Sequence, residues 1–95
     1  MRKLLLLLVF LTTPASADEL YCLAQNIYFE ARSESLAGKY AVADVVLNRV
    51  ASSKYPSTIC SVITERHQFS WYWDGKSDLP RVESIAWIDS VNVAR

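Results

Sequence analysis

The sequence predicts a small, mainly α-helical protein, and three observations lead to that fold class. Apolar residues recur at spacings of three and four in segments 18–34 and 36–50, the period of a helix with one buried face. Serine, threonine or aspartate, which can cap a helix, stands before each predicted helix after the first. The 95 residues contain no internal repeat, low-complexity tract or linker, so we expect one compact unit.

The first seventeen residues have the pattern of a secretory signal peptide. A basic tip is followed by an apolar run, 4–11, and by small residues up to Ala17. We expect cleavage after Ala17, which makes 1–17 the signal peptide and 18–95 the mature domain. The alternative is a membrane anchor, but the apolar run is less than half of the roughly 20 residues that a spanning helix needs. The prediction is a secreted or periplasmic product without a stable membrane anchor after cleavage.

Charge and composition argue against several classes of protein. Removing the two basic residues of the tip leaves eight basic and ten acidic residues, a formal charge near minus two. This balance gives no electrostatic footprint for nucleic acid. Two cysteines and one histidine are a poor set of zinc ligands, so we expect no metal and no cofactor.

Both cysteines, Cys22 and Cys60, lie in the predicted mature part. An oxidising compartment would favour a disulfide between them. In the chain-entropy model, closing a loop of this length stabilises the fold by roughly 3.5 to 4 kcal/mol. The sequence does not give their separation in space, so two free thiols remain the alternative.

Four helices are expected along the mature chain. The first two are separated by Ser35, which can cap the second, and a break at Pro56 precedes a short third helix. The predicted helices are 18–34, 36–50, a third that follows Ser57 or Thr58 and ends near Glu65, and a fourth that begins at Asp78 to Pro80 and continues into the terminus.

An aromatic segment, 67–76, separates the last two predicted helices and ends on an Asp-Gly turn pair. Its rings alternate in part, at Phe69, Trp71 and Trp73, so we expect a loop or a short irregular hairpin. His67 is the single histidine of the sequence, and no serine or cysteine nucleophile motif surrounds it. We interpret it as a loop residue and not as a catalytic base.

Two carboxylates fall on the apolar face of the first predicted helix. At about 100° per residue, Glu30 lies within about 20° of Leu23, and Glu34 lies about 20° from Ile27. A helix that only packs would place its acids on the far side, because an unpaired buried carboxylate is costly. One explanation is a half-buried face, with Glu30 paired to an arginine such as Arg49 and Glu34 solvated. The other is that desolvation and a like-charged neighbour raise a carboxyl pKa and create a general acid.

A general acid beside aromatic rings is typical of glycoside cleavage, because sugar faces stack on tryptophan and tyrosine. The aromatic segment supplies such rings, Phe69, Trp71, Tyr72 and Trp73. Packing of the same rings in the core of a small domain is the alternative.

Four stretches stand in a recognisable order and spacing. They are IYFEAR at 27–32 with Glu34 close behind, AVADVVLNRV at 41–50, YPSTICSV at 55–62 and QFSW at 68–71. With them the chain resembles bacterial cell wall hydrolases typified by the spore-cortex-lytic enzymes of the SleB and CwlJ type. The resemblance covers most of 22–73. It implies a mainly helical, lysozyme-like or lytic-transglycosylase-like fold that acts on the glycan strands of peptidoglycan.

The resemblance also assigns candidate residues. It makes Glu30 the glutamate that serves as acid and base, with Glu34 as the second candidate. Asn48 and Arg49 are expected to brace the helix pair. The matched stretch that would line the substrate cleft consists of Gln68, Phe69, Ser70 and Trp71.

The chain also departs from the family in two ways. Members usually have a further cysteine near the aromatic segment, where this chain has His67 and Trp73. They also continue into a segment rich in histidine and tyrosine that has no counterpart here, so we expect a domain truncated on its C-terminal side.

These observations lead to an exported enzyme that breaks the bond between N-acetylmuramic acid and N-acetylglucosamine, with Glu30 protonating the glycosidic oxygen. A hydrolase needs a second carboxylate at roughly 5 to 9 Å, for which Asp74 is the best-placed candidate, whereas a lytic transglycosylase can use one glutamate twice. We favour the single-glutamate route. The alternatives are a non-catalytic or truncated glycan-binding module and a small disulfide-stapled helical protein without glycan affinity.

Overall fold

The computed structural model describes residues 16–65 and 68–95. Most of the predicted signal peptide and His67 lie outside these residues. The described part contains five helices and no β-strand, which confirms the mainly α fold class. The helices are α1 Ala17–Ala31, α2 Leu36–Ala51, α3 Ile59–Ile63, α4 Ser70–Trp73 and α5 Ile85–Ala94. In the part that the structure describes, no helix combines the length and the apolar character that crossing a membrane requires.

Side-chain oxygens cap four of the helices at their N-termini. Ser35 accepts a hydrogen bond from the backbone N–H of Gly38, and Thr58 accepts one from Ser61, which confirms both as N-caps. Ser16 caps α1 and Ser84 caps α5 in the same way. Each cap satisfies a backbone donor that the first helical turn leaves without a partner.

The core forms around α1, which packs against α2, α3 and α5. Because the apolar residues of α1 recur at helical spacing, one face of the helix is buried from Leu23 to Ala31. The buried residues of this core include Leu23, Ala24, Ile27 and Ala31 from α1, Ala43 and Val46 from α2, Ile59, Val62 and Ile63 from α3, and Val93 and Ala94 from α5.

The structure joins Cys22 of α1 to Cys60 of α3, with 5.3 Å between their Cα atoms, which confirms the predicted disulfide. Glu19 strengthens the same junction. Its carboxylate accepts hydrogen bonds from the backbone N–H groups of Ile59 at 2.6 Å and Cys60 at 3.2 Å. The start of α3 is therefore fixed to α1 by a covalent bond and by two charge-assisted hydrogen bonds.

Helix α1 ends at Ala31, so the prediction that it continues to Glu34 is wrong. The ammonium group of Lys39, a residue only 4% exposed, donates hydrogen bonds to the backbone carbonyls of Arg32 and Glu34. These carbonyls thereby obtain a cationic partner in a tight connection to α2. Glu34 lies in this connection and is exposed, so it does not share the buried face of α1.

The same connection brings Gly38 against Glu34. A Cβ atom added at Gly38 would lie 2.9 Å from the Cβ of Glu34, which is closer than side-chain carbons approach. The first turn of α2 therefore has room for a glycine and for nothing larger without a shift of the connection.

The aromatic segment forms the one-turn helix α4 and a following turn, so the alternative of a short hairpin is wrong. Gly75 has a φ of 77°, the left-handed region in which glycine carries no steric penalty. Asp74 accepts a hydrogen bond from the backbone N–H of Lys76 across this turn. Phe69 and Trp71 are buried, whereas Tyr72 and Trp73 are both exposed, so the rings do not follow the strict alternation of a strand.

Helix α5 begins at Ile85, later than the predicted start at Asp78 to Pro80. Long-range hydrogen bonds hold the preceding segment out of a helix. The side chain of Gln25 donates to the backbone carbonyl of Asp78, and the N–H of Arg81 donates to the hydroxyl of Tyr28. Ser84 then caps the helix that follows.

Replacing Glu19 by alanine is expected to destabilise the protein by about 1 to 3 kcal/mol, because the two N–H groups at the start of α3 lose a charged acceptor. Urea unfolding with the disulfide intact measures this change. Glu83→Ala, at an exposed acidic residue, is the matched control and should be nearly neutral. Equal stability losses in the two variants would contradict the assigned role of Glu19.

Candidate active site

Glu30 occupies the last turn of α1, next to the buried Ala31 that anchors this end of the helix. The side chain as a whole is exposed. Surrounding protein nevertheless shields its carboxyl group from part of the solvent, and this burial raises the pKa of Glu30. The shift has the direction that a general acid needs, because desolvation disfavours the charged carboxylate.

Two cavities meet at Glu30, of about 470 Å³ and about 290 Å³. Both are lined by Glu30, Ser70 and Asp74, and we call them together the Glu30 cleft. Its size is within the range of small-ligand sites, about 300 to 1,000 Å³. The larger cavity is also lined by Gln68 and Trp73, and the smaller by Phe29, Arg32, Trp71, Lys76 and Ser77.

A further cavity of about 240 Å³ lies between α1 and α5. Its lining is mostly apolar, with Leu20, Tyr21, Trp87 and Val91, and it contains none of the predicted site residues. The predicted site residues that line a described cavity therefore all lie in the Glu30 cleft.

Trp71 anchors the segment that forms the second wall of the cleft. Its indole Nε1–H donates to Oδ1 of Asn26 at 2.7 Å, in a buried contact with α1. The indole also stacks on Phe29, with ring centroids 4.9 Å apart. The side chain of Trp71 is only 6% exposed, so most of its surface is buried in the core. The small exposed part lines the smaller cavity.

The other rings of the segment divide between core and cleft. Phe69 is buried and does not line the described cavities. Trp73 is 49% exposed and lines the larger cavity beside Glu30. Trp73 is therefore the ring of this segment that combines exposure with a place in the lining of the larger cavity.

Gln68 lines the larger cavity, and its side-chain oxygen accepts a hydrogen bond from Arg49 at 2.8 Å. Arg49 also lies over the rings of Tyr55 and Phe69. The alternative in which Arg49 pairs with Glu30 therefore differs from the structure, where the guanidinium braces α2 against the segment before α4.

The structure thus brings together four of the predicted site residues, Glu30, Gln68, Ser70 and Trp71, and adds the candidate second carboxylate, Asp74. Glu34 lies apart, in the connection between α1 and α2, and is not among the lining residues.

Sequence reasoning missed Asn26, which is fully buried on α1 and accepts the indole hydrogen bond of the cleft wall. A polar residue three positions after Leu23, on the buried face, was the signal that could have revealed it. Arg32 and Lys76 were also missed as lining residues, because their positions in the cleft depend on how the turn after α4 folds.

A sequence profile of cell wall hydrolases matches residues 33–95. The chain belongs to the cell wall hydrolase family. This confirms the resemblance found in the four stretches and is consistent with the expected small, lysozyme-like helical domain. No solved structure gives a significant match.

Curated relatives of this chain include several spore cortex-lytic enzymes. That of Bacillus cereus is 37% identical over 79 residues, which cover 81% of this chain and 30% of the relative. That of Bacillus subtilis is 35% identical over 79 residues, covering 81% and 26%, respectively. That of Oceanobacillus iheyensis is 39% identical over 61 residues, covering 64% and 22%. The chain spans less than a third of the length of these relatives.

The region aligned with the two Bacillus enzymes includes the residues of the Glu30 cleft. A span of 81% of 95 residues leaves at most 18 residues outside, so it necessarily includes residues 19–77. Glu30 and the aromatic segment therefore both lie within the region shared with the Bacillus enzymes. The profile match begins three residues after Glu30.

Replacing Trp71 by phenylalanine is expected to destabilise the protein by about 1 to 3 kcal/mol, because the buried Oδ1 of Asn26 loses its donor. Chemical unfolding monitored by circular dichroism measures the change. Tyr72→Phe is the matched control, since it changes an exposed ring on the same helix and should have little effect. Similar losses for both variants would argue against the Asn26 contact as the anchor.

Proposed function

We propose that this chain cleaves the glycan strands of peptidoglycan between N-acetylmuramic acid and N-acetylglucosamine, with Glu30 as the general acid. The observation that carries the proposal is a glutamate with a raised pKa in a cleft beside the exposed ring of Trp73. Membership of the cell wall hydrolase family and the likeness to spore cortex-lytic enzymes favour peptidoglycan over other glycans.

Proton transfer from Glu30 would begin the reaction. The protonated carboxyl group gives its proton to the glycosidic oxygen while the bond between this oxygen and C1 of the muramoyl sugar breaks. The new carboxylate then lies close to the positive charge that develops on the sugar ring. Attack on C1 by the C6 hydroxyl of the muramoyl sugar returns a proton to Glu30 and leaves an anhydro sugar, whereas attack by water leaves a reducing end.

Asp74 is the candidate second carboxylate for the route through water, since it lines both cavities with Glu30. Its Oδ1 atom accepts a hydrogen bond from the backbone N–H of Lys76 at 2.8 Å. This contact ties the carboxylate to its own turn and limits its movement toward a substrate. The arrangement favours the route in which Glu30 acts twice, first as acid and then as base.

Other residues of the Glu30 cleft would orient the glycan. The half-exposed ring of Trp73 would contact the sugar, and the polar groups of Gln68 and Ser70 can form hydrogen bonds with hydroxyl and acetamido groups. The proposed place of action is outside the cell membrane, where peptidoglycan lies. In this proposal, residues 1–17 direct export and residues 18–95 form the domain that acts on the wall.

Glu30→Gln is expected to lower glycan cleavage by about 10² to 10⁴, the usual contribution of a general acid, while binding is retained. Mass analysis of muropeptides released from purified sacculi measures cleavage, and co-sedimentation with sacculi measures binding. An anhydro product would identify transglycosylation, and a reducing end would identify hydrolysis.

Glu34→Gln is the matched control for this test, because Glu34 is an exposed glutamate outside the cleft lining. It should leave cleavage nearly unchanged. Unchanged turnover in Glu30→Gln would remove Glu30 from the mechanism. Sacculus binding without any cleavage by the parent protein would favour the non-catalytic glycan-binding module instead.

The rate of cleavage is expected to fall as the pH rises, with its midpoint above the ordinary pKa of a glutamic acid. Burial raises the pKa of Glu30, so the protonated, proton-donating form persists to higher pH than in an exposed side chain. Above that pKa, kcat/KM should decline by about tenfold per pH unit. A profile of kcat/KM on a soluble glycan oligosaccharide checks this, and a rate that rises over the same range would contradict it.

A further inference from the structure

The side chain of Gln68 is held by an arginine from a distant part of the fold. Arg49, in the last turn of α2, donates from Nη1 to Oε1 of Gln68 at 2.8 Å. Gln68 precedes α4 and lines the larger cavity of the Glu30 cleft. The contact thus connects the cleft wall to α2, a helix that contributes no residue to the lining of either cavity.

The chemistry of the two groups determines which end of the amide faces Arg49. A guanidinium group carries donors and no acceptor, so it binds the carbonyl end of the glutamine amide. The NH₂ end, with two donors, is then the end available to a ligand. Hydroxyl oxygens and acetamido carbonyl oxygens of an N-acetylated sugar are acceptors of the matching kind.

Two aromatic rings restrict Arg49. Its guanidinium carbon lies 5.2 Å from the ring centroid of Tyr55 and 5.4 Å from that of Phe69. Both distances are within the range of cation–π attraction, which extends to about 6 Å. Phe69 directly follows Gln68 in the chain and is buried, so the ring that steadies Arg49 also fixes the backbone beside the amide. An arginine restrained in this way loses little further freedom when it binds Gln68.

We infer that Arg49 is a positioning residue for glycan recognition, which orients the Gln68 amide so that its NH₂ group donates to an oxygen of an N-acetylated sugar in the cleft. The inference rests on the proposed function and adds one specific recognition contact to it. Arg49 does not line the cleft, so its effect on the ligand passes through Gln68.

A double-mutant cycle tests the inference through binding alone. The probe is a soluble tetrasaccharide of alternating N-acetylglucosamine and N-acetylmuramic acid, measured by calorimetry on the Glu30→Gln protein. Gln68→Ala and Arg49→Met are each expected to weaken binding by about tenfold, the loss of one oriented hydrogen bond. The double variant should bind no more weakly than Gln68→Ala, because both changes remove the same contact. Arg49→Lys, which keeps a donor, should restore part of the affinity.

Arg81→Met is the matched control, since the described hydrogen bonds of Arg81 use its backbone and its side chain is exposed. Added to the Glu30→Gln protein, this change should leave the affinity for the tetrasaccharide unchanged. Where Arg49→Met fails to fold, Gln68→Glu keeps the acceptor for Arg49 but removes the NH₂ donor, and it should also lose about tenfold in affinity.

If Arg49→Met or Gln68→Glu leaves the affinity of the Glu30→Gln protein for the tetrasaccharide unchanged, the inference is overturned while the proposed function remains intact. Losses that multiply in the double variant would also overturn it, because they would assign Arg49 an effect independent of Gln68. A parent protein that neither binds the tetrasaccharide nor cleaves sacculi would overturn the proposed function, and the inference with it.

Discussion

The packing of α1 is the constraint on which the rest of the structure depends. This helix must bury one face against α2, α3 and α5 and still present Glu30 to solvent in its last turn. Because a helix is rigid over a few turns, contacts near its start also set the position of its end. The Glu19 hydrogen bonds and the Cys22 disulfide therefore support the carboxyl group of Glu30 from about two turns or more away.

The opposite wall of the Glu30 cleft is a short helix and a turn, and elements of this size have little stability of their own. Side-chain contacts to the long helices compensate for it. Trp71 is anchored to Asn26 on α1, and Gln68 is anchored to Arg49 on α2. The two walls are thus held together by polar contacts that cross between elements.

Local patterns predicted the features that local forces determine. The periodicity of 18–31 and the capping chemistry of Ser35 and Thr58 were sufficient for α1, α2 and α3, because each depends on residues within a turn or two. They also placed Glu30 on the apolar face of α1, whereas in the structure its side chain is exposed and only its carboxyl group is partly shielded.

The missed features depend on contacts distant in sequence. Lys39 ends α1 from within the next helix, and Tyr28 holds Arg81 across 53 positions, so no local pattern reveals either boundary. The resemblance placed the aromatic segment at a cleft, but only the fold shows that Trp71 packs inward while Trp73 lines the larger cavity. The polar residue Asn26 on the buried face of α1 was a local signal, but its partner, Trp71, lies 45 positions away and is shown only by the fold.

The close approach of Gly38 to Glu34 has a consequence for variation among related proteins. Glycine within a helix costs about 1 kcal/mol relative to alanine, so α2 gives up intrinsic stability at this position. Because glycine lets the first turn of α2 lie against Glu34, the connection between α1 and α2 can be as short as four residues. A relative with a larger side chain at the equivalent position would need a shifted or longer connection, so residue size here and the path of that connection should vary together across the family.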